Sequence, residues 1–402
     1  MDTNIFCVLC GCPFALEHHV YGIDPHKNEY QWLYDARLLS ATSALLTLRM
    51  TTRSGEKHRN FSGNDEIFLS QRTCWSITDA DCFQLDESFY HVLTVDEAGD
   101  AMFPLHQSCI TIACRAIESH TADSAIEESD SSIIQLYNFL NRSLQANSAS
   151  GATGVAAYDI FSLRNPSSNG PRSVLALDDL SWWSGAYEKF FADPLEIPNL
   201  LPAILNSLQP LSSETDEVQS ADLTNGSQYG LEALPIELLD QIESQLSARS
   251  ILSLRQSSRT LASKIAFDER FWRRQLCNGS LLPHIWDLEE DQFRHLLQAA
   301  SHAQAWDWGN LAERLRVNHV ISSQYYPYTE VFPAGLWNRC RIWNIIGNAC
   351  RSPCGHQVSE ESDVQQSDIH RGNSYLKPLA TFGLSTILIL TSAWWDWTPL
   401  AG

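Results

Sequence analysis

Apolar and polar positions follow different rhythms in successive parts of the chain. Up to about residue 120, aromatic, strand-like and turn-rich segments alternate without a sustained helical period. Phe89–Val95 reads as a strand, Glu97–Asp100 as a turn and Ala101–Leu105 as the returning strand. Ile110, Ala113, Cys114 and Ile117 then lie on one helical stripe, and Leu136, Tyr137, Leu140 and Leu144 predict a second helix over Ser132–Leu144. NSASGATGVAA and NPSSNGP predict flexible connectors. The segment opening SWWSGAYEKFF at Ser181 is apolar and helical, ending near Leu208. QPLSSETDEVQSADLTNGSQYG, by contrast, is acidic and aperiodic, the pattern of a linker.

The pattern tightens at LEALPIELLDQIESQLSARSILSLRQSSRTLA, which begins at Leu231. Pro235 fits the first turn of a helix, where its missing N–H costs little. Leu238, Leu239, Ile242 and Leu246 recur at helical spacing. Ser250, Ser258 and Asp268 are candidate caps for three further helices, the last carrying Phe271, Trp272 and Leu276. Helices this short need tertiary packing. A unit this small cannot hide so many leucines within itself, so its surplus apolar face packs on the rest of the chain or awaits a partner. A helical, tryptophan-rich stretch follows to about Cys350, then CRSPCGHQVSEESDVQQSDIHRGNS, predicted disordered, and an apolar tail.

Composition changes the picture in two ways. The formal net charge of -21 across 402 residues argues against binding nucleic acid or anionic membrane, which requires concentrated Lys and Arg. The 11 cysteines matter more. Asp2 stands where a secretory signal would be basic, and the first apolar run is only Ile5–Leu9. An intracellular chain, cytoplasmic and/or nuclear, with reduced thiols is therefore expected, and close cysteine pairs read as metal ligands. The sequons at Asn60, Asn141, Asn225 and Asn278 are then expected to stay unused.

Residues 7–11 read CVLCG. Two cysteines separated by two residues can grip one tetrahedral ion, and the following Gly11 permits the positive φ that aims backbone N–H groups at the thiolates. The second half of such a site is HQSC, with His106 and Cys109 at the start of a helix. Knuckle, hairpin and ligand-bearing helix come in the order of a treble-clef zinc finger, which this arrangement resembles. Cys7, Cys10, His106 and Cys109 would hold structural Zn2+, with no position left open for catalysis. Cys12 is an alternative ligand. Cys350, Cys354 and His356, with Cys340 nearby, form a second set that reads as ordinary residues in polar sequence.

LPIELLDQIESQL, ILSLRQSSRTLA and FWRRQL together resemble an F-box, whose pattern opens on Leu-Pro and, in many fungal members, closes on Phe-Trp and arginines. The match spans 231–276. The N-terminal knuckle with its Pro-Phe continuation, FFADPLEIP and GLWNRCRIWNII also resemble stretches of fungal F-box proteins. The resemblance implies a substrate receptor of an SCF-type cullin–RING ubiquitin ligase, docked on a Skp-type adaptor beneath the cullin scaffold, with an unknown protein substrate. Leu234, Pro235, Leu238, Leu239, Ile242 and Leu246 would line the docking surface, with Ile251 and Leu254 supporting it. Leu238, Leu239 and Ile242 are then expected to be partly exposed in the isolated chain. Two features depart from the family pattern: Glu243 stands where many members carry a bulky apolar residue, and Ala248-Arg249 stands where many carry a proline before the second helix.

No phosphate-binding glycine loop, nucleophile elbow or H-E-x-x-H motif is present in the sequence, so a non-catalytic role is expected. Two other readings compete: a zinc-stabilised interaction module outside any ligase, and a tail-anchored membrane protein. The second rests on the uncharged run Leu379–Trp395, marginal in length for a spanning helix and better read as a buried segment, with a chain end that joins no fold as a further alternative. The expected architecture is α+β and multidomain, mainly α-helical. It comprises a treble-clef-like zinc-bearing region (1–120), a helical region with connectors (121–208), a linker (209–230), the F-box helices (231–276), a helical C-terminal region (277–350), a disordered stretch (351–374) and an apolar tail (375–402).

Overall fold

The computed structural model describes residues 5–16, 24, 26–50, 66–75, 82–122, 131–153, 155–163, 188–211, 230–277, 279, 281–289, 306–322 and 332–351. Outside the described residues lie NPSSNGP, the start of the SWWSGAYEKFF segment, most of the expected linker, and nearly all of the stretch expected to be disordered. So do the apolar tail with Leu379–Trp395, Cys354, His356, and the sequons at Asn60, Asn225 and Asn278. Met1–Gly347 forms one compact unit and Asn348–Gly402 another. The fold class is α+β and mainly helical, as expected.

The strands are β1 (Ala36–Ala41), β2 (Ile67–Leu69), β3 (Cys74–Trp75), β4 (Cys82–Leu85), β5 (Ser88–His91) and β6 (Met102–His106). They form two antiparallel sheets, ordered β2-β1-β6 and β3-β4-β5. The central strand β1 buries Leu38, Leu39 and Ser40 in succession, the pattern of a strand covered on both faces.

The expected hairpin forms only in part. Its turn is as predicted: Asp96 Oδ1 accepts the backbone N–H groups of Ala98 and Asp100, each at 2.9 Å, and Gly99 takes a φ of 89°. Val95 bridges Ala101, but the long partner of β6 is β1, in register from Ala36↔His106 to Ser40↔Met102. Alternation marks a strand without naming its partner, and β1 offers a longer apolar edge than the four residues of β5.

The helices are α1 (Ala44–Thr47), α2 (Gln107–Ala122), α3 (Ser132–Ala149), α4 (Val155–Tyr158), α5 (Glu188–Phe191), α6 (Leu200–Asn206), α7 (Ile236–Glu243), α8 (Ala248–Ser257), α9 (Arg259–Lys264), α10 (Glu269–Cys277), α11 (Trp308–Arg314), α12 (Val317–Ser322) and α13 (Ala334–Arg351). The predicted stripe Leu136, Tyr137, Leu140 and Leu144 is the buried face of α3. In α2 the buried face includes Ile110, Ala113 and Ile117, with Cys114 half-buried. The apolar segment ending near Leu208 is not one helix over its described part. It breaks into α5 and α6 around Pro194 and Pro198, which lack N–H donors, and Asn199 at φ 60°.

The run from Leu231 forms α7 to α10 around a core of its own: Leu239, Ile251, Leu261, Ile265 and Phe271. Ser258 caps α9 by accepting the N–H of Thr260, and Asp268 caps α10 by accepting that of Phe271. The second cap differs from expectation: Ser247, not Ser250, ends the chain's extended run, and its hydroxyl accepts the N–H of Ser250. Helix α10 is joined to the C-terminal helices, since Gly309 of α11 lies against the indole of Trp272, where a Cβ would approach Nε1 to 3.2 Å. Helix α13 is the most enclosed of the long helices, with Leu336, Cys340, Ile342, Ile346 and two arginines buried.

Candidate functional site

The N-terminal segment curls because its own backbone closes on itself. The N–H of Gly11 bonds to the carbonyl of Cys7 at 2.7 Å, the N–H of Cys7 to the carbonyl of Cys12 at 3.0 Å, and Gly11 sits at φ 72°. The N–H of Cys12 donates to Cys10 Sγ at 3.4 Å. Strand β6 ends on His106, and the first turn of α2 presents Cys109. The ligand atoms of Cys7, Cys10, His106 and Cys109 all lie within 4.8 Å of one another, and all four residues are buried. This is the set expected from the spacing, and it can hold a metal ion. Four protein ligands close a tetrahedral site, so the arrangement suits holding structure rather than activating water.

The histidine is oriented for that purpose. Its Nε2 lies 3.1 Å from the carbonyl oxygen of Pro13, and its Nδ1 lies 3.3 Å from Cys10 Sγ. A carbonyl can only accept, so Nε2 carries the hydrogen and Nδ1 faces the thiols. The rings of Phe14 and Trp32 pack against the imidazole with centroids 4.7 and 4.9 Å away, keeping the site dry.

The side chains by themselves favour positive charge at the centre. Burial pushes the Cys10 thiol up, but hydrogen bonds from Cys109, Cys12 and Cys7 and the His106 charge outweigh it and hold Cys10 well below the usual thiol range. Burial lowers His106, yet the charges of Cys10 and Cys7 raise it to about 10. Burial raises Cys109 well above its ordinary value. A divalent cation answers this charge pattern, taking the place of the proton beside Cys10.

Cys12, the alternative ligand, lies outside the cluster: its thiol donates to the carbonyl of Phe190 at 3.3 Å. Cys340 and Cys350 join no such cluster among the described residues.

The docking face differs from expectation in one residue. Leu239, expected to be partly exposed, is 1% exposed and belongs to the core with Ile251. Its neighbour Leu238 is 44% exposed. Pro235 is exposed, while Leu234, Ile242, Leu246 and Leu254 are half-buried. Glu243 is buried too, so the inward face of α7 runs Leu239, Glu243. The leucine stripe is thus split: Leu239 lies in the core and Leu246 packs against it, while Leu238 faces outward. Sequence reasoning omitted two exposed residues here, Leu231 and Ile236 (42% and 54%).

Sequence reasoning also missed the work of α13. Arg339 and Arg341 are fully buried. Arg339 donates to the carbonyls of Pro194, Leu195 and His284, pairs with Asp287, and stacks 3.9 Å from the Trp286 ring. Asn338 donates to the carbonyls of Phe190 and Ala192. Arg341 reaches the knuckle, donating to the carbonyl of Cys10 at 2.8 Å. The three stretches CVLCGCPF, FFADPLEIP and GLWNRCRIWNII thus meet at one place in the fold.

A family model of F-box-like domains matches residues 231–278. No curated protein matches the chain, and no solved structure does. The match covers the four helices α7 to α10 with their shared core and exposed leucines, and it makes this chain a protein with an F-box-like domain.

Proposed function

We propose that this protein is a substrate-receptor subunit of an SCF-type cullin–RING ubiquitin ligase, non-catalytic itself. It would dock on a Skp-type adaptor, and through it the cullin, while the rest of the chain selects a protein target for ubiquitination. One observation carries the reading: the F-box-like helices complete their own core yet leave Leu231, Ile236 and Leu238 outside it. Apolar side chains at the start of a short amphipathic helix fit a helix-in-groove partner. Each contributes roughly 1.5–3 kcal/mol when fully buried. We further propose that the buried cysteine–histidine cluster takes Zn2+ as a structural ion, and that the protein works in the cytoplasm, the nucleus or both. Among the described residues no helix is long and apolar enough to cross a membrane.

The test is co-purification of the full chain with the adaptor, alongside Leu238→Asp. A charge at an exposed site leaves the fold intact but meets hydrocarbon in the groove. Wild type should retain the adaptor and Leu238→Asp should lose it with an unchanged melting curve. Failure of wild type to bind, where another F-box protein does, would favour an interaction module outside any ligase.

A further inference from the structure

The two buried arginines of α13 sit two positions apart, yet only one has a carboxylate. Arg339 pairs with Asp287. Arg341, 1% exposed, has no carboxylate partner among the described residues. Its Nη1 donates to the Cys10 carbonyl at 2.8 Å. Its Nε and Nη2 donate to Asn338 Oδ1 at 3.3 and 3.0 Å, and Nη2 lies 4.0 Å from Cys12 Sγ. The Phe190 ring covers it at 4.8 Å. These groups are neutral dipoles and a ring face. A buried guanidinium satisfied in hydrogen bonds but lacking an opposite charge is expensive, and proteins rarely keep one.

The missing charge is on the same knuckle. A divalent cation held by three thiolates and a neutral imidazole carries one net negative charge. That charge is as buried as the arginine, and the arginine bonds directly to the backbone of the ligand residue Cys10. We propose that Arg341 is the counter-ion of the metal centre: a positioning residue that neutralises the loaded cluster and ties α13 to the knuckle. This rests on the reading of the cluster as a metal site. It explains why α13 spends two buried arginines on two different anchors. Arg339 holds the segment at Pro194 and Leu195 through their carbonyls, its charge answered by Asp287, and Arg341 holds the knuckle through the Cys10 carbonyl, its charge answered by the loaded site. Folding and metal loading are then coupled across the length of the chain, because the counter-ion follows the ligands by more than two hundred residues.

The experiment compares full-length wild type, Arg341→Lys and Arg341→Met for zinc content, zinc affinity by chelator competition, and the absorption spectrum with Co2+ substituted. Losing an outer partner of a metal site lowers affinity roughly 10- to 100-fold. Arg341→Met should show that loss, and Arg341→Lys, which keeps the charge but not the fork of donors, should recover most of it with the wild-type Co2+ spectrum. If Arg341→Met fails to fold while Arg341→Lys folds and holds metal, charge is still the requirement. Unchanged affinity in Arg341→Met overturns the counter-ion role while leaving the metal site standing. Equal loss in both variants also overturns it, since shape rather than charge would then matter. A wild-type protein that binds neither zinc nor Co2+ overturns the metal reading and this inference together.

Discussion

His106 Nε2 donates to the carbonyl oxygen of Pro13 across 3.1 Å, so the segment that supplies two thiols also sets the ring that faces them. The bond fixes the ring so that Nδ1 points toward Cys10 and Cys109, the orientation a metal ligand requires. The site is therefore prearranged by two segments far apart in the chain.

Metal removal should undo that region. Structural zinc contributes roughly 10–16 kcal/mol to folding at neutral pH, as much as the whole stability of a typical domain. Cys7→Ser and Cys109→Ser should each abolish one zinc per chain, read by elemental analysis, and chelator should lower the melting temperature of wild type alone. Zinc-free wild type with an unaltered melt would contradict this.

Stability should fall as pH falls toward His284's folded value. Burial, opposed by its hydrogen bond to the Leu315 carbonyl and aided by Arg339, depresses His284 from 6.5 to about 4. The unfolded chain binds the proton first, so this contribution is complete above pH ~6.5 and is lost between ~6.5 and ~4, with a limit of about 3 kcal/mol. Denaturant titrations across that window should show the slope, and His284→Gln should flatten it.

Adjacent positions on α7 should separate folding from binding. Leu239→Ala opens a cavity in the core and should cost about 2–5 kcal/mol. Leu238→Ala should change stability by no more than about 0.5 kcal/mol, yet weaken adaptor capture. Chemical denaturation and pull-down, run on both, check the division.

Gly335→Ala should be disproportionately harmful for a helix-favouring change. A Cβ there would land on the carbonyl oxygen of Asp193 and press on Ile197. The cost should be at least ~1–3 kcal/mol, against the roughly 1 kcal/mol gain such a change brings in an open helix. Thermal melts decide the sign.

What sequence determined by itself was local. The stripe of α3, the caps at Ser258 and Asp268, the Asp96–Asp100 turn and the knuckle at Cys7–Gly11 all depend on residues within a few positions of each other. The spacing of His106 and Cys109 was equally readable, and it led to the four residues whose ligand atoms the fold brings together. Tertiary structure alone decided the rest, because it turned on segments distant in the chain. It chose β1 over β5 as the main partner of β6. It turned Leu239 and Glu243 of α7 inward and Leu238 outward, since most of that core comes from α8–α10 rather than from α7. It also brought Arg341 to Cys10. Helical spacing cannot announce a buried arginine on an apolar helix, because the knuckle whose carbonyl it bonds lies more than three hundred residues earlier.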